Sequence, residues 1–198
     1  YNWHWFWDFG NGELGNNGIH MIDVLRWGMK KRMPVTVEST GGRFGYKDQA
    51  QTPNTQNVTW TFSDGAMMVG QLRGLYTTEP MSWDFFGTKG HMHIDADGRF
   101  RVRMGRSKEL EPETQYPANE SHFGNFAAAV RARDPRLLRA EIEETAISTA
   151  YCHLGNISYR VGRKLRFDES RMQFSGDAEA NRMLTRDYRK PYVVPEKV

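Results

Sequence analysis

The side chains best suited to chemistry lie together in a helical stretch that follows a glycine-rich turn. Asn16, His20, Asp23 and Trp27 are spaced by four, three and four residues, so they share one face of an α-helix. An imidazole with a carboxylate one turn later can accept a proton, because the acid fixes the tautomer of the ring and raises its basicity. The alternative is a buried histidine that is hydrogen-bonded for packing. The glycine turn favours chemistry, because glycine lets backbone approach a ligand closely.

The elements that must position this stretch are indicated by the periodicity of the apolar residues. Residues 1–9 alternate aromatic and polar side chains, which predicts a half-buried strand. One helix is expected over residues 14–30, closed by cations and by Pro34. Strands are then predicted at residues 35–39, 42–46, 58–62, 66–72, 83–86, 92–94 and 99–104, with tight turns at residues 63–65, 88–90 and 95–98.

The last part of the chain predicts helices that can cover one face of this sheet. A polar loop is expected over residues 105–118, followed by helices over residues 120–133 and 140–161. A short strand at residues 164–167, a helical turn or two at residues 177–184 and an extended tail complete the pattern. Because the strands follow one another as hairpins, the sheet should be mainly antiparallel, with its second face open to solvent or a partner.

Composition limits the classes of protein that this chain can represent. Its 198 residues are 38% hydrophobic and 26% charged, which is typical of one globular domain. The net charge of +3 and the scattered basic residues argue against a nucleic-acid partner. No apolar run approaches the ~20 residues that span a membrane, and the single cysteine, Cys152, excludes an internal disulfide. Because the chain starts in mid-pattern without Met, we expect an upstream segment. The cytoplasm is favoured over the periplasm, since a single cysteine does not imply an oxidising compartment.

A dinucleotide-binding pattern also occurs, and we interpret it as a structural turn. Gly10, Gly12 and Gly15 match G-x-G-x-x-G, and Glu38 lies near the expected position of a ribose-binding acid. The preceding segment alternates in polarity, however, whereas a central parallel strand is apolar on both faces. Asp8 would oppose a pyrophosphate, and hairpins follow instead of further strand–helix–strand units.

The run from Gly12 to Asp23 resembles the Gly-Gly-x-x-x-Asp-x-Gly-x-His-x-x-Asp segment of the glucose-fructose oxidoreductase, inositol dehydrogenase and rhizopine catabolism (Gfo/Idh/MocA) family. The likeness continues through residues 62–65, 86–90, 122–126, 140–163 and 176–195. It implies an α+β fold like the C-terminal domain of dihydrodipicolinate reductase. In this fold an open, mainly antiparallel sheet has helices packed on one face and uses the other for dimerisation. Residues 1–198 are then one substrate-binding and oligomerisation domain, and the Rossmann domain that binds NAD or NADP lies outside this chain.

The same resemblance implies roles for individual residues. His20 falls on the catalytic histidine of the family, which removes a hydroxyl proton while hydride passes to nicotinamide, and Asp23 falls on the acid one turn later. Asn16 stands where many members have Asp; an amide cannot take up a proton, so it can only orient the substrate or the imidazole.

Further side chains extend this list of site residues. We expect Asn16 and Asn17 to bind substrate, and Trp3 and Trp83 to stack on a sugar ring, with a place in the sheet or interface core as the alternative for the two indoles. His91 and His93 share a strand face and could bind a metal, but no third ligand is evident, so no metal is predicted.

The expected function is that of a substrate domain in an NAD(P)-dependent dehydrogenase acting on a sugar, glycoside or polyol. The substrate is then a small carbohydrate or polyol, and the chain forms a homodimer or homotetramer through its sheet face, with neither nucleic acid nor membrane as partner. Two alternatives stay open: an NAD-dependent glycosidase that works by oxidation and elimination, and a non-catalytic assembly or ligand-binding domain.

Overall fold

The structure, a computed structural model, describes residues 2–78, 81–105, 108–110 and 121–195. The helices in these residues are α1 (Gly12–Asn16), α2 (Gly18–Met29), α3 (His122–Ala132), α4 (Ile142–Val161) and α5 (Ala178–Arg182). The strands are β1 (Thr36–Gly42), β2 (Thr55–Thr61), β3 (Met67–Arg73), β4 (Trp83–Phe86), β5 (Gly90–Ile94), β6 (Phe100–Met104), β7 (Lys108–Leu110), β8 (Leu165–Asp168) and β9 (Gln173–Phe174).

These strands form two sheets in which every described pair is antiparallel. The first sheet has the order β3-β2-β1-β8-β9, and the second has the order β4-β5-β6-β7. Hairpins join β2 to β3, β4 to β5 and β5 to β6, at the turns that the sequence predicts. At the first of these turns Gly65 has a φ of +83°, which an L-residue adopts only with strain. The mainly antiparallel α+β fold is therefore confirmed.

Helix α4 covers one face of the first sheet. The register places Val37 of β1 opposite Trp60 of β2, and both side chains are fully buried. The Trp60 ring lies 5.7 Å from the ring of Tyr151 on α4. Gly155 lets α1 and α4 approach each other, because a Cβ there would lie 2.8 Å from Leu14 Cδ2. The core therefore lies between this sheet face and the helices.

The opposite face of the first sheet has no helix among the described residues. Strand β3 alternates exposed and buried side chains along its whole length. Met67 and Val69 point away from the core, with 60% and 45% of their surfaces exposed. One face of the sheet is thus covered and the other open, as the alternation predicts. No described helix is both long and apolar enough to cross a bilayer.

The prediction of a strand over residues 1–9 is wrong for the described residues 2–9. Residues Asn2–Trp5 form a 3-10 helix, and the carbonyl of Trp5 accepts hydrogen bonds from the backbone N–H groups of Gln51 and Thr52. The alternating indoles serve individual packing sites: Trp5 lies 4.9 Å from the guanidinium of Arg43, and Trp7 lies 6.5 Å from the ring of Tyr159. Alternation of side chains here does not reflect a pleated strand.

Three further boundaries differ from the predictions. The helix expected over residues 14–30 is two helices separated at Asn17. The first strand continues unbroken to Gly42, and residues 43–46 are not part of it. Lys108–Leu110, expected in a loop, pairs with β6, while residues 106–107 and 111–118 of that loop lie outside the described residues. The helices expected at residues 120–133, 140–161 and 177–184 are confirmed as α3, α4 and α5.

Candidate active site

The glycines before α2 let the start of this helix pack closely against other backbone and side chains. Gly12 has a φ of +63°, and a Cβ there would lie 2.8 Å from Cβ of Thr52. A Cβ at Gly10 would lie 2.5 Å from Cα of His4, and one at Gly18 would lie 2.8 Å from Leu72 Cδ2. Protein atoms therefore occupy the space that a pyrophosphate would need beside such glycines. The packing of these glycines thus explains the run without a dinucleotide.

A buried chain of polar side chains fixes the beginning of α1. Gln56 Nε2 on β2 donates hydrogen bonds to Ser39 Oγ at 3.0 Å and to Asn156 Oδ1 at 3.3 Å. Asn156 Nδ2 on α4 donates in turn to the carbonyl oxygen of Asn11 at 2.8 Å. Gln56, Ser39 and Asn156 are all buried. Because buried polar groups are costly when unpaired, these hydrogen-bonded side chains hold the glycine turn to the sheet and to α4.

A second network ties α2 to α4. Arg26, only 4% exposed, donates from Nη1 to Ser148 Oγ at 2.6 Å and from Nη2 to Glu144 Oε2 at 2.8 Å. Its Nε donates to the carbonyl oxygen of Lys31 at 3.2 Å. Ser148 Oγ then donates to Asp23 Oδ1 at 2.5 Å. An Arg from α2 and a Ser from α4 therefore lock the two helices together, between one and two turns beyond His20.

The opposite side of α2 rests on strand β4. Trp83 is 8% exposed, and its indole Nε1 donates to the carbonyl oxygen of Met21 at 3.1 Å. A Cβ at Gly28 would lie 2.5 Å from Phe85 Cε1, so the strand and the helix are in close contact. Trp83 was expected to stack on a sugar ring. Its indole is buried instead, which matches the alternative interpretation of this residue as part of the core. Trp3 is 57% exposed, and its ring lies edge-on to His4 at 5.9 Å.

With both sides of α2 fixed, His20 lies on its exposed side. Its backbone N–H donates to the carbonyl of Asn17 at 3.2 Å, and among the described contacts its ring has no hydrogen bond. Asn16, Asn17 and Asp23 are also exposed, and Asn17 Nδ2 donates to Glu13 Oε1. An open imidazole next to amides and a carboxylate can accept a hydroxyl proton while the amides bind neighbouring hydroxyls.

Asp23 contacts α4 and not the histidine ring. The described hydrogen bonds of its carboxylate include Ser148 and do not include His20. No described hydrogen bond therefore joins the two side chains, which lie one helical turn apart. Sequence reasoning missed Arg26, Ser148 and Asn156; the one signal for them is a polar residue at a position that the helical or strand period buries.

Two imidazoles elsewhere share one carboxylate. Asp84 Oδ1 lies 2.8 Å from His91 Nε2 and 2.9 Å from His93 Nδ1. Burial acts to raise the pKa of Asp84, but the hydrogen bonds from His93 and His91 outweigh it, so this pKa lies below its usual range. In the part of the chain that is described, no group of three or more His, Cys, Asp or Glu side chains is arranged to hold a metal ion.

The model of an oxidoreductase family, described as its C-terminal alpha/beta domain, matches residues 2–194. The chain belongs to the Gfo/Idh/MocA family. Comparison with curated protein sequences gives no match. The resemblance in the glycine-to-Asp23 segment thus led to the correct family.

Solved structures of Gfo/Idh/MocA oxidoreductases share the fold. The WlbA dehydrogenase from Bordetella pertussis, in complex with NADH and UDP-GlcNAcA, has a TM-score of 0.64 and 17% identity over 85% of this chain and 49% of its own. An aldose-aldose oxidoreductase from Caulobacter crescentus, complexed with glycerol, has a TM-score of 0.63 and 17% identity over 83% of this chain and 50% of its own. The UDP-N-acetylglucosamine 3-dehydrogenase GnnA from Acidithiobacillus ferrooxidans has a TM-score of 0.55 and 14% identity over 72% of this chain and 45% of its own. The chain thus spans about half the length of these structures.

Proposed function

We propose that this chain is the substrate-binding and catalytic-base domain of an NAD(P)-dependent oxidoreductase that acts on a secondary alcohol of a sugar, glycoside or polyol. The observation that carries the proposal is the exposed imidazole of His20 on a helix that α4 and β4 hold from two sides. Relatives of similar fold bind NADH, UDP-GlcNAcA or glycerol, which supports a nicotinamide cofactor and a hydroxyl-bearing substrate.

In this proposal His20 accepts the proton of the substrate hydroxyl as the C–H bond of the same carbon breaks. A nicotinamide, which residues outside this chain would hold, would supply the acceptor for the hydride. The alcohol becomes a carbonyl, and the imidazole becomes an imidazolium that Asp23 stabilises through charge. The amides of Asn16 and Asn17 bind adjacent hydroxyls and so set which carbon faces His20. Asn16 cannot carry a proton, so the histidine alone passes it on to solvent.

Oligomerisation through the open sheet face belongs to the same proposal. Met67 and Val69 are exposed on an otherwise threonine-rich surface, and an open sheet face with apolar side chains is a natural contact between two copies. We expect a homodimer or homotetramer by sedimentation analysis. Val69→Lys should shift the chain to monomer, and a wild-type chain that stays monomeric at high concentration would contradict this contact.

Product analysis of the full-length enzyme tests the reaction type. Incubated with NAD or NADP and a panel of sugars, nucleotide sugars and polyols, the enzyme should accumulate reduced nicotinamide in a one-to-one ratio with a carbonyl product. Cleavage of a glycoside without net reduced nicotinamide would indicate the glycosidase instead. If neither reaction occurs and substrate still binds, the non-catalytic alternative holds.

A further inference from the structure

A group of basic side chains lies outside the site on α2, around the indole of Trp7. The guanidinium of Arg160 on α4 lies 5.0 Å from the centroid of the Trp7 ring. Arg186 in the tail donates from Nη2 to the carbonyl oxygen of Trp7, at a long 3.5 Å. The N-terminal segment, α4 and the C-terminal tail therefore meet at one tryptophan, and each of the last two contributes a guanidinium.

The two guanidinium groups at Trp7 have no described ion pair, although Asp8 and Asp187 follow Trp7 and Arg186 in the sequence. Neither Arg160 nor Arg186 forms an ion pair with a carboxylate within the described ranges, whereas Arg163, a few residues away, bonds both Asp177 and Glu179 at 2.8 Å. His153 lies on α4 seven residues before Arg160, so the two side chains share one face of the helix. Partial burial lowers the pKa of this imidazole, and the charge of Arg186 lowers it further. Both arginines are exposed, so an anion in solvent can reach them.

The position of this group relative to His20 follows from how α4 runs past α1 and α2. Asp23 contacts Ser148 and Asn11 contacts Asn156, so the two segments run in opposite directions. At about 1.5 Å per residue, His153 lies roughly 8 Å and Arg160 roughly 18 Å beyond Ser148 along α4. The basic group therefore begins near the level of His20 and extends away from it, past the glycine turn.

We propose that His153, Arg160 and Arg186 form a binding site for a phosphate or carboxylate group, next to Trp7. Guanidinium groups bind such anions through paired, charge-assisted hydrogen bonds, and the contact with an aromatic ring holds Arg160 in place before the anion arrives. The anion belongs either to an extended substrate whose hydroxyl reaches His20 or to the dinucleotide. This placement rests on the proposed function, but anion binding itself does not.

Calorimetric titration of the full-length enzyme with inorganic pyrophosphate, a UDP-sugar, glucuronate and NADH tests the site. Arg160→Gln and Arg186→Gln should each weaken pyrophosphate binding about tenfold, the usual effect of losing a charged hydrogen bond. Arg171→Gln removes the same charge from an exposed side chain on the turn between β8 and β9, and should leave binding unchanged. Arg160→Lys keeps the charge and should restore part of the affinity.

Comparison of the titrations shows whether the bound anion belongs to the substrate or to the cofactor. Weaker binding of the UDP-sugar or glucuronate with unchanged NADH binding assigns the site to substrate, and the opposite result assigns it to the cofactor. Equal affinities in all variants, an equal loss in Arg171→Gln, or no anion binding at about 10 mM would overturn the proposal. Since no turnover is measured, these outcomes do not depend on whether His20 is a catalytic base.

Discussion

Helices α2 and α3 are similar in isolation and differ in how the rest of the molecule holds them. They have 12 and 11 residues, and both end at a non-glycine residue in the left-handed conformation, Lys30 with a φ of 52° and Arg133 with a φ of 51°. Helix α2 is fixed by Arg26 and Ser148 on one side and by Trp83 on the other. Helix α3 instead leaves Phe123 and Phe126 exposed at 87% and 62%.

The comparison shows that local sequence forms a helix, but long-range partners give it a fixed place. In α3 the interactions are mostly local: Ser121 Oγ caps its first turn, and Asn125 bonds the carbonyl of Leu137 shortly after the helix. In α2 the partners on α4 are more than 100 residues away in sequence, and Trp83 is 62 residues away from Met21. A catalytic base requires a fixed position, so the histidine on α2 is the better placed of the two helices' histidines, His20 and His122.

The largest effect should be seen in the reactivity of Cys152, which lies on α4 one turn after Ser148. Burial raises the pKa of this thiol to about 12, so its thiolate fraction at neutral pH should be about a thousandfold below that of an ordinary cysteine. Native labelling by a disulfide reagent should be slower than labelling in denaturant by at least that factor. Rapid native labelling would show that the α2–α4 contact opens readily.

Loss of the buried arginine should be the most destabilising single change in this contact. Arg26→Ala leaves Ser148 and the carbonyls of Glu144 and Lys31 without their donor. We expect a loss of about 3 kcal/mol in the free energy of unfolding by denaturant titration. Arg136→Ala, on a guanidinium whose side chain is 88% exposed, is the matched control and should change it by no more than about 0.5 kcal/mol.

Removal of one hydroxyl should have a smaller effect on the same contact. Ser148→Ala takes away the acceptor of Arg26 and the donor to Asp23 together, for which we expect about 2 kcal/mol. Ser148→Thr keeps the hydroxyl and should retain more of the stability. Equal stability of wild type and Ser148→Ala would mean that these two hydrogen bonds do not hold α2.

On α3 the expected effect is the smallest. Phe126→Gln replaces a largely exposed ring, so the free energy of unfolding should stay within about 0.5 kcal/mol of wild type. A loss of 2 kcal/mol or more, about the size of a core substitution, would show that this side chain is buried in solution and that the contrast with α2 is wrong.

Much of the fold could be predicted because its signals are local. The turn at Gly65 and the cap at Gly162, with a φ of +67°, are encoded by glycines at positions that require a left-handed backbone. The prediction of a strand at residues 1–9 was wrong because alternating indoles can also pack separately, as Trp5 does on Arg43 and Trp7 on Tyr159. No local pattern distinguishes those two cases.

The site was predictable only in part, for the same reason. The spacing of His20 and Asp23 predicted that both lie on one face of a helix, and the family resemblance implied a catalytic role for the histidine. The partners of Asp23 and Asn11, which are Ser148 and Asn156, depend on how α4 packs across the sheet. Such contacts join residues more than 120 positions apart, and periodicity within one segment carries no information about them.

The most direct test of the account is the rate of hydride transfer in the full-length enzyme with His20→Gln. Loss of the proposed general base should lower this rate by about 10²- to 10⁴-fold while substrate affinity changes little. His122→Gln, which changes an exposed histidine at the start of α3, should transfer hydride at the wild-type rate. Hydride transfer by His20→Gln at the wild-type rate would contradict the assignment of His20 as the catalytic base.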